Sequence, residues 1–87
     1  MTLSQLQNAL AGKKLAVGAK QLRKALNAGF ARYVFLASDA DPAVTEPIAE
    51  LCARQGVEVS WARSMADLGS ACGIDVGAAA AAVVSNP

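Results

Sequence analysis

The 87 residues of this chain, 54% of them hydrophobic, can enclose one modest core, which predicts a single domain over residues 1–87 and excludes a multidomain protein. The chain has no histidine and two widely separated cysteines, which excludes a Ser-His or Cys-His nucleophile and a zinc-type cluster, so we expect no enzyme, no metal and no cofactor. The net charge of +1 conceals six bases and no acids in residues 1–38, against two bases and seven acids in residues 39–87, and this segregation favours one local face for a polyanion.

The first part of the chain predicts a helix, a short strand and a second helix. Ser4 and Gln7 have the spacing of a capping box at the start of a helix, and a brief strand is expected over Lys13 to Val17. Beyond Gly18, apolar residues recur at the i, i+3, i+4 spacing of a helix that stops near Gly29. The exposed face of this second helix would carry Lys20, Arg23, Lys24 and Asn27.

A buried strand and a helix are predicted next. The apolar run from Tyr33 to Ala37 is typical of a strand that is covered on both faces. Asp41 followed by Pro42 is the pattern of a helix cap, but a proline such as Pro47 disrupts a regular helix interior. We therefore expect a short turn here, followed by a new helix that ends at Gly56.

The last part of the chain predicts strand, helix and strand. Val57 to Trp61 alternates apolar and polar residues, as a half-exposed strand does, and Ser64 to Gly73 then reads as a capped helix with apolar residues Met65, Leu68 and Cys72. The tail, Gly77 to Val84, has no polar residue. Alanine favours helix and valine favours strand, but an element that is apolar all round must be buried all round, which predicts a strand in the middle of the sheet.

Together these elements predict an α/β fold, namely a three-layer α/β/α sandwich with a small mixed sheet of about four strands. Cys52 and Cys72 each fall in a predicted helix, so we interpret them as packed thiols. No signal peptide is recognisable, and the longest apolar run is far shorter than the roughly 20 residues of a membrane-spanning helix. A cytoplasmic protein with no membrane partner is expected.

The first candidate functional segment is the stretch from Gly18 to Lys24. A glycine before a helix allows a sharp turn, and the free N–H groups of the first helical turn attract anions. Cations such as Lys20 and Lys24 can neutralise phosphates, and the Gln21 amide can hydrogen-bond the edge of a base. The alternative is an ordinary solvated basic helix face.

The second candidate segment is the predicted loop between Gly73 and Gly77. It contains the apolar residues Ile74 and Val76, and its flanking glycines allow tight turns and close backbone approach. Two interpretations stay open: the apolar side chains pack into the core, or they form a shelf for an unstacked nucleotide.

The two segments together resemble the L-seven-Ae family of kink-turn-binding ribosomal proteins. The resemblance covers nearly the whole chain and is strongest at G-A-K-Q-L-R-K (residues 18–24) and at L-G-S-A-C-G-I-D-V-G-A-A-A (residues 68–80), with a further match at D-A-D-P (residues 39–42). In such proteins the glycine-started helix reads the guanines of sheared G·A pairs, and the glycine-flanked loop packs on the bulge nucleotides. The resemblance implies RNA contacts for Gly18, Lys20, Gln21, Lys24, Ile74, Asp75, Val76 and Gly77.

The same resemblance implies the partner and the branch of the family. It implies a structured RNA with a kink-turn, ribosomal RNA being one candidate. Apart from the resemblance, we expect neither DNA nor a membrane as partner, and a protein that is monomeric when free. Archaeal and eukaryotic members usually carry Asn-Glu in place of Lys20-Gln21, so this chain is similar to the bacterial, YbxF-type branch. Losing the acid would weaken base readout and strengthen phosphate attraction. On charge grounds alone, we add Arg23 and Lys14 as phosphate contacts.

Three alternatives remain at the sequence level. Asp39 and Asp41 could hold magnesium or accept a phosphoryl group at the end of a strand, although a turn and a helix cap explain them better. Trp61 could stack on a base, although packing in a core or an interface is commoner. The whole chain could also be a small protein-protein interaction module that does not bind RNA.

Overall fold

The computed structural model describes residues 15–85, in which strands and helices alternate. The strands are β1 (Leu15–Val17), β2 (Ala31–Ala37), β3 (Glu58–Ala62) and β4 (Ala80–Val84). The helices are α1 (Ala19–Ala28), α2 (Pro42–Gln55) and α3 (Met65–Ala71). The helix predicted to begin at Ser4 and the candidate contact Lys14 lie outside the described residues.

The four strands form one mixed sheet in the order β1-β4-β2-β3. Strand β4 is antiparallel to both of its neighbours, β1 and β2, whereas β2 and β3 are parallel. Strands β1, β2 and β3 therefore all run in the same direction. Their carboxyl ends meet at one end of the sheet, where β4 begins, and we call this the carboxyl end.

Helices cover both faces of the sheet, which confirms the predicted three-layer sandwich. On one face α1 and α2 bury Leu22, Leu26 and Ile48 against the β2 side chains Val34 and Leu36. On the other face α3 buries Leu68 and Cys72 against Phe35 and Ala81. Burying a Leu, Ile or Phe side chain contributes roughly 1.5 to 3 kcal/mol, so these two clusters hold the layers together.

The tail is the interior strand that its composition predicts. Ala80, Ala81 and Ala82 are fully buried, because β4 lies between two strands and under helices on both faces. Cys52 and Cys72 are buried, free thiols, and burial raises the pKa of each above its usual value. Both are packed thiols, as predicted.

The expected break at Pro47 is wrong, because α2 runs through it without interruption. Pro47 lacks the N–H that would bond the carbonyl of Ala43 one turn earlier. Both residues are exposed, so water can satisfy that carbonyl and the helix keeps its course. Its start is as predicted, since the Asp41 carboxylate accepts a hydrogen bond from the Ala43 N–H at 2.9 Å. None of the helices within residues 15–85 is long and apolar enough to cross a membrane.

Candidate functional site

The start of α1 is built on a glycine that is held to the sheet. The N–H of Gly18 donates to the carbonyl of Ala80 at 2.8 Å, and the Gly18 carbonyl accepts the first helical bond, from the Leu22 N–H. Gly18 has φ 95° and ψ 151°, a region of backbone space that is essentially restricted to glycine. An added Cβ would meet no atom within 4 Å. The backbone conformation, rather than space, therefore requires glycine here.

The N-terminus of α1 is open, whereas those of α2 and α3 are closed by side chains. Neither a capping side chain nor an acid in the first turn is present at the start of α1. At α3 the N–H of Met65 donates to the Asp39 carboxylate at 2.7 Å, and the N–H of Asp67 donates to the Ser64 hydroxyl at 3.0 Å. Only α1, among the three helices described, thus keeps its first N–H groups and its positive dipole end free for an anion.

The exposed face of α1 carries the predicted cations. Lys20, Gln21, Arg23 and Lys24 are all exposed, while Leu22 and Leu26 are buried. Within residues 15–85 none of these cations forms an ion pair, so their charge is not offset by a neighbouring acid. Arg32 is separate from them: it lies near the start of β2, at the opposite end of the sheet, where its Nε donates to the Ser85 hydroxyl. The bases of the first part of the chain therefore do not all share one face.

The loop after α3 is fixed to its surroundings by main-chain hydrogen bonds. The N–H of Ile74 donates to the Gly69 carbonyl at 3.1 Å, and the N–H of Ala78 donates to the Met65 carbonyl at 3.0 Å. On its far side the Ala79 carbonyl accepts from the Ala37 N–H at 2.9 Å. Both ends of the loop are therefore held by main-chain hydrogen bonds.

Two glycines let this loop lie against α3. A Cβ on Gly69 would fall 2.1 Å from the Val76 carbonyl oxygen, and one on Gly77 would fall 3.0 Å from the Cβ of Met65. Gly77 was predicted for close backbone approach, but the positioning role of Gly69 was missed. The sequence does carry a signal for this role of Gly69, because a glycine inside a helical pattern usually serves close packing.

The apolar residues of the loop face solvent. Val76 is 70% exposed and Ile74 is 37% exposed, and Asp75 between them is also exposed. Of the two interpretations that the sequence left open, packing into the core is wrong for Val76. The main-chain anchors explain why, since they tie the loop backbone to α3 and leave these side chains outside the layer that Leu68 and Cys72 fill.

The carboxyl end of the sheet brings the two predicted segments together. Gly18 follows β1 and is bonded to Ala80, the first residue of β4, which directly follows the loop. Lys20, Gln21 and the loop residues Ile74 to Gly77 therefore belong to one end of the molecule. Asp39 and Asp41 also lie there, but both carboxylates accept helix N–H groups, and no group of three potential metal ligands occurs within residues 15–85.

Comparison with known proteins shows the family of the chain. The family model described as "Ribosomal protein L7Ae/L30e/S12e/Gadd45 family" matches residues 2–87. An "RNA-binding protein" of Bacillus pumilus is 42% identical over 72 residues, 83% of this chain and 88% of that protein. The "RNA-binding protein YbxF" of Geobacillus stearothermophilus is 38% identical over 78 residues, 90% of this chain and 95% of that protein.

A solved structure extends the comparison to the fold. The "Giardia lamblia 15.5kD RNA binding protein" superposes with a TM-score of 0.89 at 27% identity, covering 97% of this chain and 71% of that one. The match to the family model spans nearly every residue, and the bacterial relatives include the YbxF type that the sequence resembles. This chain therefore belongs to the ribosomal protein L7Ae/L30e/S12e/Gadd45 family.

Proposed function

We propose that this protein binds structured RNA at a kink-turn, with the start of α1 at the sheared G·A pairs and the loop of residues 74–77 on the bulge nucleotides. The observation that carries the proposal is the 2.8 Å hydrogen bond from Gly18 to Ala80, which joins the two segments at one end of the sheet. Relatives named as RNA-binding proteins, one of them of the YbxF type, support the choice of ligand.

The start of α1 suits a nucleic-acid backbone beside base edges. Its free N–H groups and the exposed side chains of Lys20 and Lys24 attract phosphates. The Gln21 amide, one residue further along the first turn, can donate to and accept from the edge of a base. Phosphate positioning and base readout can thus come from the same helix end.

The loop suits unstacked nucleotides. Val76 and Ile74 offer an apolar surface that does not collapse into the core, because the loop backbone is bonded to α3 and to β2. Sequence-specific RNA recognition uses bases that have been splayed out of the helix, and a kink-turn provides such bases at its bulge. The apolar shelf and the basic helix start therefore match two adjoining parts of one bent RNA.

The proposal assigns no catalytic role to this site. Within residues 15–85 no pocket is enclosed, and Asp39 and Asp41 act as helix caps rather than as a pair directed at a ligand. A surface site without a concave cavity fits a macromolecular ligand better than a small substrate. We further propose a cytoplasmic monomer, whose buried thiols Cys52 and Cys72 stay reduced, with ribosomal RNA among its candidate ligands.

A gel-shift comparison tests the proposal. The RNAs are a kink-turn and the same RNA in which Watson-Crick pairs replace the sheared G·A pairs. We expect nanomolar to micromolar binding of the kink-turn only, with a log-log salt slope of about 2 to 4, since three or four neutralised phosphates each contribute roughly 0.7 to 0.9. Equal binding of both RNAs would leave only non-specific attraction and would overturn the proposal.

A further inference from the structure

The large apolar side chains that residues 15–85 leave exposed are all at the carboxyl end of the sheet. Two of them, Ile74 and Val76, belong to the loop already described. The other two are Trp61, 54% exposed, and Met65, 37% exposed, which flank the turn from β3 to α3. Exposed apolar side chains at this end of the sheet therefore extend beyond the two segments of the proposed RNA site, and the tryptophan among them is the largest.

Trp61 lies at the carboxyl end of the sheet, on the side furthest from the start of α1. It is the penultimate residue of β3, an edge strand, and it pairs with Leu36, so its indole is on the sheet face that α1 and α2 cover. Three strand spacings of about 4.8 Å separate β3 from β1, so Trp61 is roughly 14 Å across the sheet from the start of α1. An RNA bound at α1 and the loop would have to extend only a few nucleotides to reach it.

Arg63 adds a cation to this end of the sheet, two residues after Trp61. Its side chain is 89% exposed, and its one ion pair within residues 15–85, with Asp67 at 3.3 Å, lies on the surface and is therefore weak. Arg63 follows Trp61 by two residues, which places their Cα atoms about 7 Å apart along an extended chain. The guanidinium is held at Asp67 of α3, the helix on the opposite sheet face from the indole, so the two side chains occupy two sides of one rim of the sheet. An exposed aromatic ring and an exposed cation are the two groups that bind an unpaired nucleotide, through base stacking and phosphate neutralisation.

The charges at this end favour a nucleotide over a continuous phosphate backbone. Asp39 and Asp41 lie at the end of β2, between α1 and β3, and would repel phosphates along the direct path. Their carboxylates accept helix N–H groups, which offsets part of that charge. The cations therefore lie on either side of the acids, at Lys20 and at Arg63, and Trp61 precedes the second of them by two residues.

We propose that Trp61 and Arg63 form an additional nucleotide site of the RNA surface, in which the indole stacks on an unpaired base next to the kink-turn and the guanidinium contacts its phosphate. This inference rests on the proposed function, since the nucleotide belongs to the RNA held by α1 and the loop. It adds a contact at the opposite side of the carboxyl end and predicts a preference for RNA with unpaired nucleotides beside the kink.

The intrinsic fluorescence of the protein tests the inference directly, because Trp61 is its one tryptophan. Kink-turn RNA with and without three unpaired flanking nucleotides is added, and binding is measured in parallel by gel shift. We expect strong quenching of the indole by the flanked RNA and weak quenching by the other. A gel shift with unchanged fluorescence would overturn the inference and leave the proposed function intact. Failure of both RNAs to shift the protein would overturn the proposed function.

Variants measure the strength of each contact. Trp61→Ala should weaken binding of the flanked RNA by about 5- to 150-fold, the usual range for one stacked base, while Trp61→Phe retains most of the affinity. Arg63→Gln should lower the log-log salt slope by about 0.7 to 0.9, and Arg54→Gln, at the far end of α2, should leave it unchanged. Equal effects of the two arginine variants, or an unaltered affinity of Trp61→Ala, would contradict the proposal.

Discussion

The starts of the three described helices lie at the same end of the sheet, yet only two of them are closed by side chains. Helix α2 begins at a side-chain cap from Asp41, and helix α3 begins at caps from Ser64 and Asp39. These caps accept hydrogen bonds from N–H groups at the helix starts. Helix α1 begins at Gly18, which binds the sheet through its backbone and provides no cap. The capped starts of α2 and α3 therefore complete the fold, whereas the uncapped start of α1 is available to a ligand.

The largest effect is expected where the loop depends on α3. Gly69→Ala places a Cβ 2.1 Å from the Val76 carbonyl, so the loop backbone must move. We expect a loss of about 3 kcal/mol in the free energy of unfolding, measured in urea, together with loss of kink-turn binding. Ser70→Ala, on the next and exposed residue of the helix, is the matched control and should change neither. If Gly69→Ala bound the kink-turn as tightly as the wild type does, RNA recognition would not depend on the position of the loop.

Lys24 tests the basic face of α1 without disturbing the fold. The side chain is exposed and has no ion pair within the described residues, so Lys24→Ala should leave the melting temperature unchanged. Kink-turn affinity should fall by roughly 1 to 3 kcal/mol in a gel-shift titration. Arg54→Gln, an exposed base at the other end of α2, provides the control. A fall in stability as large as the fall in affinity would make Lys24 a structural residue.

A pair of glycine variants compares the two ends of the sheet. Gly18 and Gly56 both have positive φ and open space around a built Cβ, so Gly18→Ala and Gly56→Ala are both strained, by about 1 to 3 kcal/mol. By thermal unfolding we expect the larger loss of stability for Gly18→Ala, because φ 95° and ψ 151° are essentially restricted to glycine, whereas Gly56 is in the left-handed helical region. Weaker RNA binding at a temperature where both variants are folded is expected for Gly18→Ala alone, because Gly56 closes α2 at the opposite end. An equal loss of RNA binding by both variants would show that the loss does not depend on the position of Gly18 at the RNA surface.

The smallest effect is expected at Arg23, which was added to the site on charge alone. It is exposed on α1, so Arg23→Gln should reduce the magnitude of the log-log salt slope of binding by about 0.7 to 0.9, with a loss of affinity that is larger at low salt than at high salt. The slope is measured by titration at several salt concentrations. An unchanged slope would remove Arg23 from the interface.

Elements that depend on local pattern could be predicted from the sequence. The apolar tail from Gly77 indicated a central strand, and β4 is that strand, with Ala80 to Ala82 fully buried. The predicted break at Pro47 was wrong because the rule for proline counts the lost helical hydrogen bond but not whether water can reach the carbonyl that loses it. Met65, assigned to the apolar side of its helix, is 37% exposed, since it is the first residue of α3 and the loop at Gly77 covers only part of it.

Contacts between distant residues could not be predicted in the same way. Asp39 caps a helix that begins 26 residues later, and sequence alone interpreted it as a turn residue. The hydrogen bond that unites the site joins Gly18 to Ala80, which no local spacing relates. Motif resemblance selected both segments, whereas their common position follows from β1 pairing with β4.

The central claim, that the start of α1 and the loop form one RNA surface, is tested most directly by backbone amide chemical shifts of the labelled protein titrated with kink-turn RNA. We predict that the amides of Lys20, Gln21 and residues 74–77 shift together at one stoichiometry, while those of Gly29 and Gly56, at the opposite end, stay in place. Shifts confined to one of the two segments, or centred on the opposite end, would contradict the account.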